Sequence, residues 1–158
     1  MDTQTFTQLK AARTNMLKVV ASLSPDQLNR IPEGFNNNLV WHLGHVIVTQ
    51  QLLCYKLAGE DLQIPNEWVD QFRKGTKPEG TVKPEEIELL KERLLTIIPG
   101  TEADVKAGKF KTFQRYETSF GLTLHNAKEA FAFNNLHESL HLGYMMAQRR
   151  LLANLSNL

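Results

Sequence analysis

Apolar side chains recur at steps of three and four residues along four long segments of the chain, as they do on one face of a helix. In the first segment Phe6, Leu9 and Met16 follow this spacing, with lysine and arginine between them. The predicted helices span about residues 5–23, 39–58, 84–98 and, from Thr123 or Leu124, the stretch to Leu152. We therefore predict an all-α protein in which four helices form an antiparallel bundle.

Glycine, proline and asparagine mark the connections between these helices. Asn37 or Asn38 is expected to cap the second helix, and Gly59 to end it. Residues 60–83 hold many of the helix breakers and form the longest connection. A connection of this length permits a crossover between the second and third helices, so we expect up-down-down-up topology.

Four short stretches have weaker signals. Residues 24–26, Ser-Pro-Asp, either end the first helix or begin a short one. Residues 66–72 are expected to form one or two helical turns. The Pro-Gly pair at 99–100 is expected to interrupt the third helix, with residues 101–107 continuing it or forming a separate turn. Residues 109–122 are predicted to be a packed loop with some extended structure.

Composition and charge narrow the class of protein. The chain has 158 residues, 42% of them apolar and 22% charged, which suits one domain over residues 1–158. Its net charge of +1 gives no electrostatic reason to bind nucleic acid or an anionic membrane. No apolar run approaches the roughly 20 residues of a membrane span, and the first residues do not resemble a signal peptide. With Cys54 as the single cysteine no internal disulfide can form, and we expect a cytoplasmic protein.

The candidate chemistry lies in the histidines. His137 and His141 are four residues apart, so on a helix both imidazoles project from one face, as metal-binding pairs do. Pairs with this spacing also occur in cores and on surfaces without any metal. His42 and His45 lie on the second helix, and either is a candidate third ligand. His125 is about three helical turns from His137, too far along the axis to share an ion, and we expect it to be exposed.

Other polar residues share the face of the fourth helix that carries His141. Glu138 lies inside the histidine pair and is interpreted as an acceptor that orients an imidazole, as a weak candidate general base, or as a solvent-facing charge. Asn134 and Gln148 follow the same line, which favours a site over plain core. Cys54 is expected to be buried and inert.

At these residues the chain resembles the DinB/YfiT-like superfamily of metal-dependent four-helix bundles. The matching parts are Asn38 to His45, with the pattern W-x-x-x-H, and Phe133 to Tyr144, with H-x-x-x-H. The resemblance selects His45 over His42. It implies a divalent ion, most often nickel or zinc, bound by His45, His137 and His141 with water completing its shell.

The resemblance also implies a range of activities. Some relatives are thiol S-transferases that use low-molecular-weight thiols such as bacillithiol or mycothiol, and others resemble hydrolases or isomerases. The favoured hypothesis is thus a metal-dependent enzyme that activates water or a thiol and acts on a small molecule. The rival hypothesis is a non-catalytic helical bundle that binds metal or ligand, or serves as a dimerisation module. A homodimer is compatible with both.

Overall fold

The computed structural model describes residues 3–154 and is predominantly helical. The ends of the predicted domain, residues 1–2 and 155–158, lie outside the described residues. The α-helices are α1 Thr3–Val20, α2 Pro25–Asn29, α3 Leu39–Gln50, α4 Asn66–Phe72, α5 Pro84–Lys106 and α6 Ala127–Asn154. Two short strands, β1 Tyr116–Glu117 and β2 Thr123–Leu124, pair antiparallel with Tyr116 opposite Leu124.

The four long helices enclose one apolar core. Helix α1 packs against α5 and α6, and α3 packs against the same two helices from the other side. Leu9, Met16, Leu43, Leu94 and Phe131 are among the core side chains buried almost completely. The prediction of a helical protein is confirmed. Within residues 3–154, no helix is both long and apolar enough to cross a membrane.

The second predicted helix begins at Leu39, as expected. The side chain of Asn38 accepts a hydrogen bond from the backbone N–H of Trp41 at 2.8 Å, so Asn38 rather than Asn37 is the cap. After Gln50 the helix widens into a π turn, Gln51–Tyr55, and then tightens into a 3₁₀ turn, Lys56–Ala58. Gly59 ends it with φ of 77°. The predicted span is thus confirmed, but the prediction of one regular α-helix over it is wrong.

The third predicted helix does not stop at the Pro-Gly pair. Helix α5 continues through Pro99 to Lys106, and residues 101–106 extend it. Proline lacks only its own N–H, so at this point the helix loses one backbone hydrogen bond. The buried side chains of Ile97, Ile98 and Thr101 hold both sides of the exposed Pro99 in place. The predicted interruption is wrong because core packing outweighs the local preference of proline.

The helix boundaries near both ends of the chain differ from the prediction. Residues 123–124 form β2, and the side chain of Asn126 accepts from the N–H of Glu129 at 3.0 Å, so α6 begins at Ala127. Helix α1 ends at Val20 rather than at residue 23, and Ser24 caps the short α2. The one- to two-turn helix at 66–72 and the extended structure within 109–122 are confirmed as α4 and β1.

Candidate metal centre

Three histidines from two helices converge at one place in the core. His45 comes from α3, and His137 and His141 come from successive turns of α6. One ring nitrogen of each lies within 4.8 Å of those of the other two. The ring centroids are 4.4 Å apart for His137 and His141, 4.7 Å for His45 and His141, and 5.2 Å for His45 and His137. These are the three histidines that the family resemblance selected, whereas spacing alone had left His42 and His45 as alternatives for the third ligand.

The spacing of the nitrogens suits a divalent ion. The Nε2 atoms of His137 and His141 are 3.1 Å apart. Two imidazoles that each bind one ion at about 2.0–2.1 Å place their nitrogens roughly 2.9–3.4 Å apart in octahedral or tetrahedral geometry. The buried Nδ1 of His137 has no hydrogen-bond partner within the described part of the chain. Three imidazoles can hold Zn, Ni, Cu or Fe, so the residues fit the metal that the resemblance implies.

The backbone of the α4 end fixes the orientation of His45. Its Nδ1 donates a hydrogen bond to the carbonyl oxygen of Phe72 at 2.6 Å, which leaves Nε2 directed at the other histidines. Phe72 can come this close because residue 44 is glycine, and a Cβ there would overlap the Phe72 ring. On the other side Trp41 stacks on the His45 ring at 4.2 Å between centroids.

His42 belongs to the same cluster, although it is outside the three-histidine group. Its Nδ1 lies 2.8 Å from Nδ1 of His141, and its Nε2 lies 3.3 Å from the amide nitrogen of Gln148. Gln148 also donates to the carbonyl of Asn37 at 2.9 Å, just before α3. The two positions considered for the third ligand are therefore separated by the structure. His45 faces the pair, and His42 contacts the far side of the His141 ring.

Burial keeps these imidazoles neutral. Burial, followed by the neighbouring histidines, lowers the pKa of His141 to about 2 and the pKa values of His42 and His137 to about 4. The pKa of His45 is also lowered by burial, and the carbonyl of Phe72 offsets part of this effect. Neutral imidazole is the form that binds a metal, so at neutral pH the cluster needs no deprotonation.

Glu138 is committed to another contact. Its side chain is 0% exposed, so the interpretation as a solvent-facing charge is wrong. Its two carboxylate oxygens accept from Arg13 at 2.8 and 3.0 Å, and one of them accepts from Asn134 at 2.8 Å. The described hydrogen bonds of Glu138 thus go to Arg13 and Asn134 rather than to an imidazole.

The remaining sequence candidates lie apart from the centre. His125 is exposed, as expected, and precedes α6. Cys54 is fully buried, and burial raises the pKa of its thiol well above the ordinary value. A thiol in that state is a poor nucleophile and a poor metal ligand.

A cavity of about 530 Å³ adjoins the three histidines. The rings of His45, His137 and His141 form part of its wall. Most of the remaining wall is apolar or aromatic: Trp41, Leu52, Leu53, Leu57, Tyr116, Phe120, Phe133 and Leu140. The hydroxyl of Thr49 also faces it, 3.3 Å from Nε2 of His45. The sequence analysis missed Thr49, although its position one turn after His45 on the same helix is a usable signal.

Comparison with known proteins identifies the family and the fold. The profile of the DinB superfamily matches residues 8–145. No curated protein matches the chain. A crystal structure described as a conserved protein from Enterococcus faecalis superposes with a TM-score of 0.64 at 14% identity, over 98% of this chain and 99% of that one. At this identity the likeness shows the fold alone, whereas the profile covers most of the sequence. The chain belongs to the DinB superfamily.

Proposed function

We propose that this protein is a divalent-metal-dependent enzyme whose ion is held by His45, His137 and His141. The observation that carries the proposal is the convergence of three neutral imidazole nitrogens within 4.8 Å at the wall of a cavity. A structural metal site is normally closed by four protein ligands, whereas three ligands beside a cavity leave a position for a small molecule. Nickel and zinc are the proposed metals.

Several residues of the chain would have separate roles at such a site. The carbonyl of Phe72 holds His45 in the orientation that presents Nε2. A bound divalent ion supplies Lewis acidity, which favours the deprotonated form of a water molecule or a thiol. The apolar wall of the cavity is suited to the nonpolar part of a bound molecule, and the Thr49 hydroxyl is placed to hydrogen-bond a group close to His45. The pairing of Glu138 with Arg13 argues against Glu138 as the general base.

The proposed substrates are small molecules, including low-molecular-weight thiols, and the proposed reactions are thiol S-transfer and hydrolysis. The size of the cavity supports a small molecule. The net charge of +1 supports neither nucleic acid nor a membrane surface as a partner, and we propose a cytoplasmic location.

The first test is elemental analysis of tag-free protein, followed by thiol-transfer and hydrolysis assays with the metal that is found. We expect about one divalent ion per chain and activity that is lost on chelation and restored by that ion. Protein that contains no metal after purification and after incubation with zinc and nickel would contradict the proposal.

We further propose that the long helices form an antiparallel bundle with up-down-down-up order. Along α1 and α6, Asn135 bonds to Thr5 and Arg149 bonds to Ser22, so contacts advance in the same direction on both helices. Between α3 and α6 the order reverses, because Gln148 contacts Asn37 while His137 lies beside His45. Gln50 bonds to Thr101 and Tyr55 bonds to Asp104, so contacts advance in the same direction along the second predicted helix and α5, which supports a crossover through residues 59–83.

A second candidate function is an interaction module, and an apolar stripe on α6 favours it. Leu136, Leu140, Tyr144 and Leu151 share one line of this helix and are 41–49% exposed. A stripe of this kind is suited to a second copy of the chain, so we propose a homodimer through α6. Light scattering should show a dimer that becomes a monomer in the Leu136→Glu, Leu151→Glu double variant. A wild-type monomer at high concentration would exclude this dimer.

A further inference from the structure

The cavity beside the histidines is elongated along one helix. The wall includes His45, Thr49, Leu53 and Lys56, which follow one another along α3, the π turn and the start of the 3₁₀ turn. At 1.5 Å per residue, the backbone from residue 45 to residue 56 covers roughly 16 Å. Leu52 and Leu53 of the π turn and Lys56 of the 3₁₀ turn line the same cavity. A ligand in this cavity can therefore contact the histidine end and the Lys56 end together.

The charges on the cavity wall have one sign. Lys56 and Lys74 both border it, and within the described part of the chain no aspartate or glutamate does. Lys91, Lys106 and Lys109 are held in ion pairs, whereas no ion pair occupies Lys56 or Lys74 among the described residues. Both lysines are exposed, so each ammonium can turn towards a ligand. The wall therefore repels cations and attracts anions.

The two lysines lie towards different parts of the cavity. Lys74 follows Phe72, whose carbonyl accepts from His45, and precedes Thr76, whose hydroxyl accepts from the indole N–H of Trp41 at 2.9 Å. Lys74 thus belongs to the histidine end. Lys56 lies at the other end and also borders a depression that contains Glu60 and Asp61. Each lysine must therefore be tested by itself.

We propose that this cavity binds a small molecule with an apolar body and an anionic group, the body against the leucine and aromatic wall and the anion at Lys74 or Lys56. The inference deepens the proposed function, on which it rests for the role of the ligand as substrate. Apolar contact surface supplies most of the affinity in such a pocket, while one placed charge orients the ligand. This orientation would bring one end of the molecule to the three histidines.

The test uses 1-octanesulfonate as the anionic probe and 1-octanol as its uncharged counterpart. Sulfonate is a weak metal ligand, and the titrations are run in a chelating buffer, so binding at the lysines is separated from binding at the metal. The NMR signals of the two tryptophan indoles report the location. Trp41 lines the cavity and Trp68 does not, so the Trp41 signal should shift and the Trp68 signal should stay.

We expect octanesulfonate to bind more tightly than octanol, and Lys74→Gln or Lys56→Gln to weaken octanesulfonate two- to fivefold, the usual effect of one exposed ion pair. Octanol binding should not change in either variant. Lys77→Gln is the matched control, because Lys77 lies three residues after Lys74 and does not line this cavity.

Equal affinity for octanol and octanesulfonate, no effect of either lysine substitution, or a shift of both indoles would overturn the inference. Lysine-dependent binding in a protein that takes up no metal would leave the ligand site standing and remove the proposed function alone.

Discussion

Two polar clusters lie between α3 and α6. They differ in whether their polar groups find hydrogen-bond and charge partners within the protein. In the arginine cluster, Arg13 donates to both oxygens of Glu138, to the carbonyl of Leu94 and to the side chain of Gln50. Every nitrogen of this guanidinium faces an oxygen, and the positive charge meets a negative one. The charge of Arg13 is therefore neutralised within the protein, and the cluster requires no ligand.

The histidine cluster is built from nitrogens that face other nitrogens. His141 lies 3.1 Å from His137 through Nε2 and 2.8 Å from His42 through Nδ1, and each of these contacts can share only one proton. Among residues 3–154 no carboxylate joins the three-histidine group, and the cavity leaves it open on one side. A polar cluster whose groups are all paired thus holds helices together, whereas an array of electron-pair donors without a counter-charge is suited to a cation.

Of the changes considered, loss of one imidazole should have the largest effect, because it should abolish metal binding at the histidine cluster. We expect His137→Ala to abolish stoichiometric metal binding, because two nitrogens hold a divalent ion far more weakly than three. His125→Ala is the matched control, since this histidine is exposed and outside the cluster. Elemental analysis and calorimetry measure both variants. A full metal complement in His137→Ala would show that the histidines are not the ligands.

Breaking the arginine cluster should damage stability and spare the metal. Arg13→Met leaves the buried Glu138 without its counter-charge, which costs about 3–5 kcal/mol of unfolding free energy. The double variant Arg13→Met, Glu138→Leu removes both charges and should recover much of the loss. Urea denaturation measures stability and calorimetry measures metal affinity. Loss of metal binding in a folded Arg13→Met protein would mean that the clusters are not independent.

His42 should tune the site without being essential to it. His42→Gln removes the ring that orients His141, and loss of such a partner typically weakens metal binding about 10- to 100-fold. The d–d absorption of a cobalt- or nickel-loaded protein should shift while the stoichiometry stays at one. An unchanged affinity for the metal would show that His42 only packs against the site. Loss of stoichiometric metal binding would show that it is a ligand.

The glycine beside His45 offers a smaller test. Gly44→Ala places a methyl group into the Phe72 ring and should cost about 1–3 kcal/mol of stability while displacing the carbonyl that orients His45. Gly143→Ala on α6 is the matched control. A Cβ there meets nothing within 4 Å, so this variant should be as stable as the wild type or slightly more stable. Equal stability of both variants would show that the close contact at Gly44 is unimportant.

Acidification should gradually lower the unfolding free energy of the metal-free protein. The histidines have an ordinary pKa of 6.5 when unfolded, and burial lowers the folded values of His42 and His137 to about 4. Between these limits the unfolded chain binds more protons, so the unfolding free energy falls as the pH is lowered from 6.5 towards 4. The Tm of chelated protein should therefore fall over this range, and His141→Gln should flatten the slope. The same dependence of Tm on pH in His141→Gln and in the wild type would show that His141 does not contribute to it.

The sequence was sufficient to find the histidines but not their surroundings. Spacing alone predicted that His137 and His141 share a helical face, because a four-residue step has one meaning on a helix. The partner of His45 is a backbone carbonyl at Phe72, which leaves no trace in residue type. Arg13 and Glu138 are 125 positions apart, so their pairing depends on the packing of α1 against α6.

The errors in secondary structure have the same origin. Proline at position 99 predicted a break, but buried side chains on both sides carry α5 through it. The π turn after Gln50 was likewise not predicted, because apolar residues are so frequent in residues 46–55 that a one-residue shift in their spacing leaves no clear signal. Local preference correctly predicted a cap at Asn38 and a helix end at Gly59, and at Asn38 a tertiary contact supports it, because the side-chain amide donates to the carbonyl of Asn29.

Anomalous X-ray diffraction from crystals grown with zinc or nickel would locate the metal ion. We expect one strong anomalous peak per chain, about 2.0–2.1 Å from one nitrogen each of His45, His137 and His141, with the remaining position open to the cavity. We expect no metal at Arg13 and Glu138. Metal-loaded crystals with no peak among the three histidines, or with the ion held elsewhere in the chain, would show that these histidines are not a metal site.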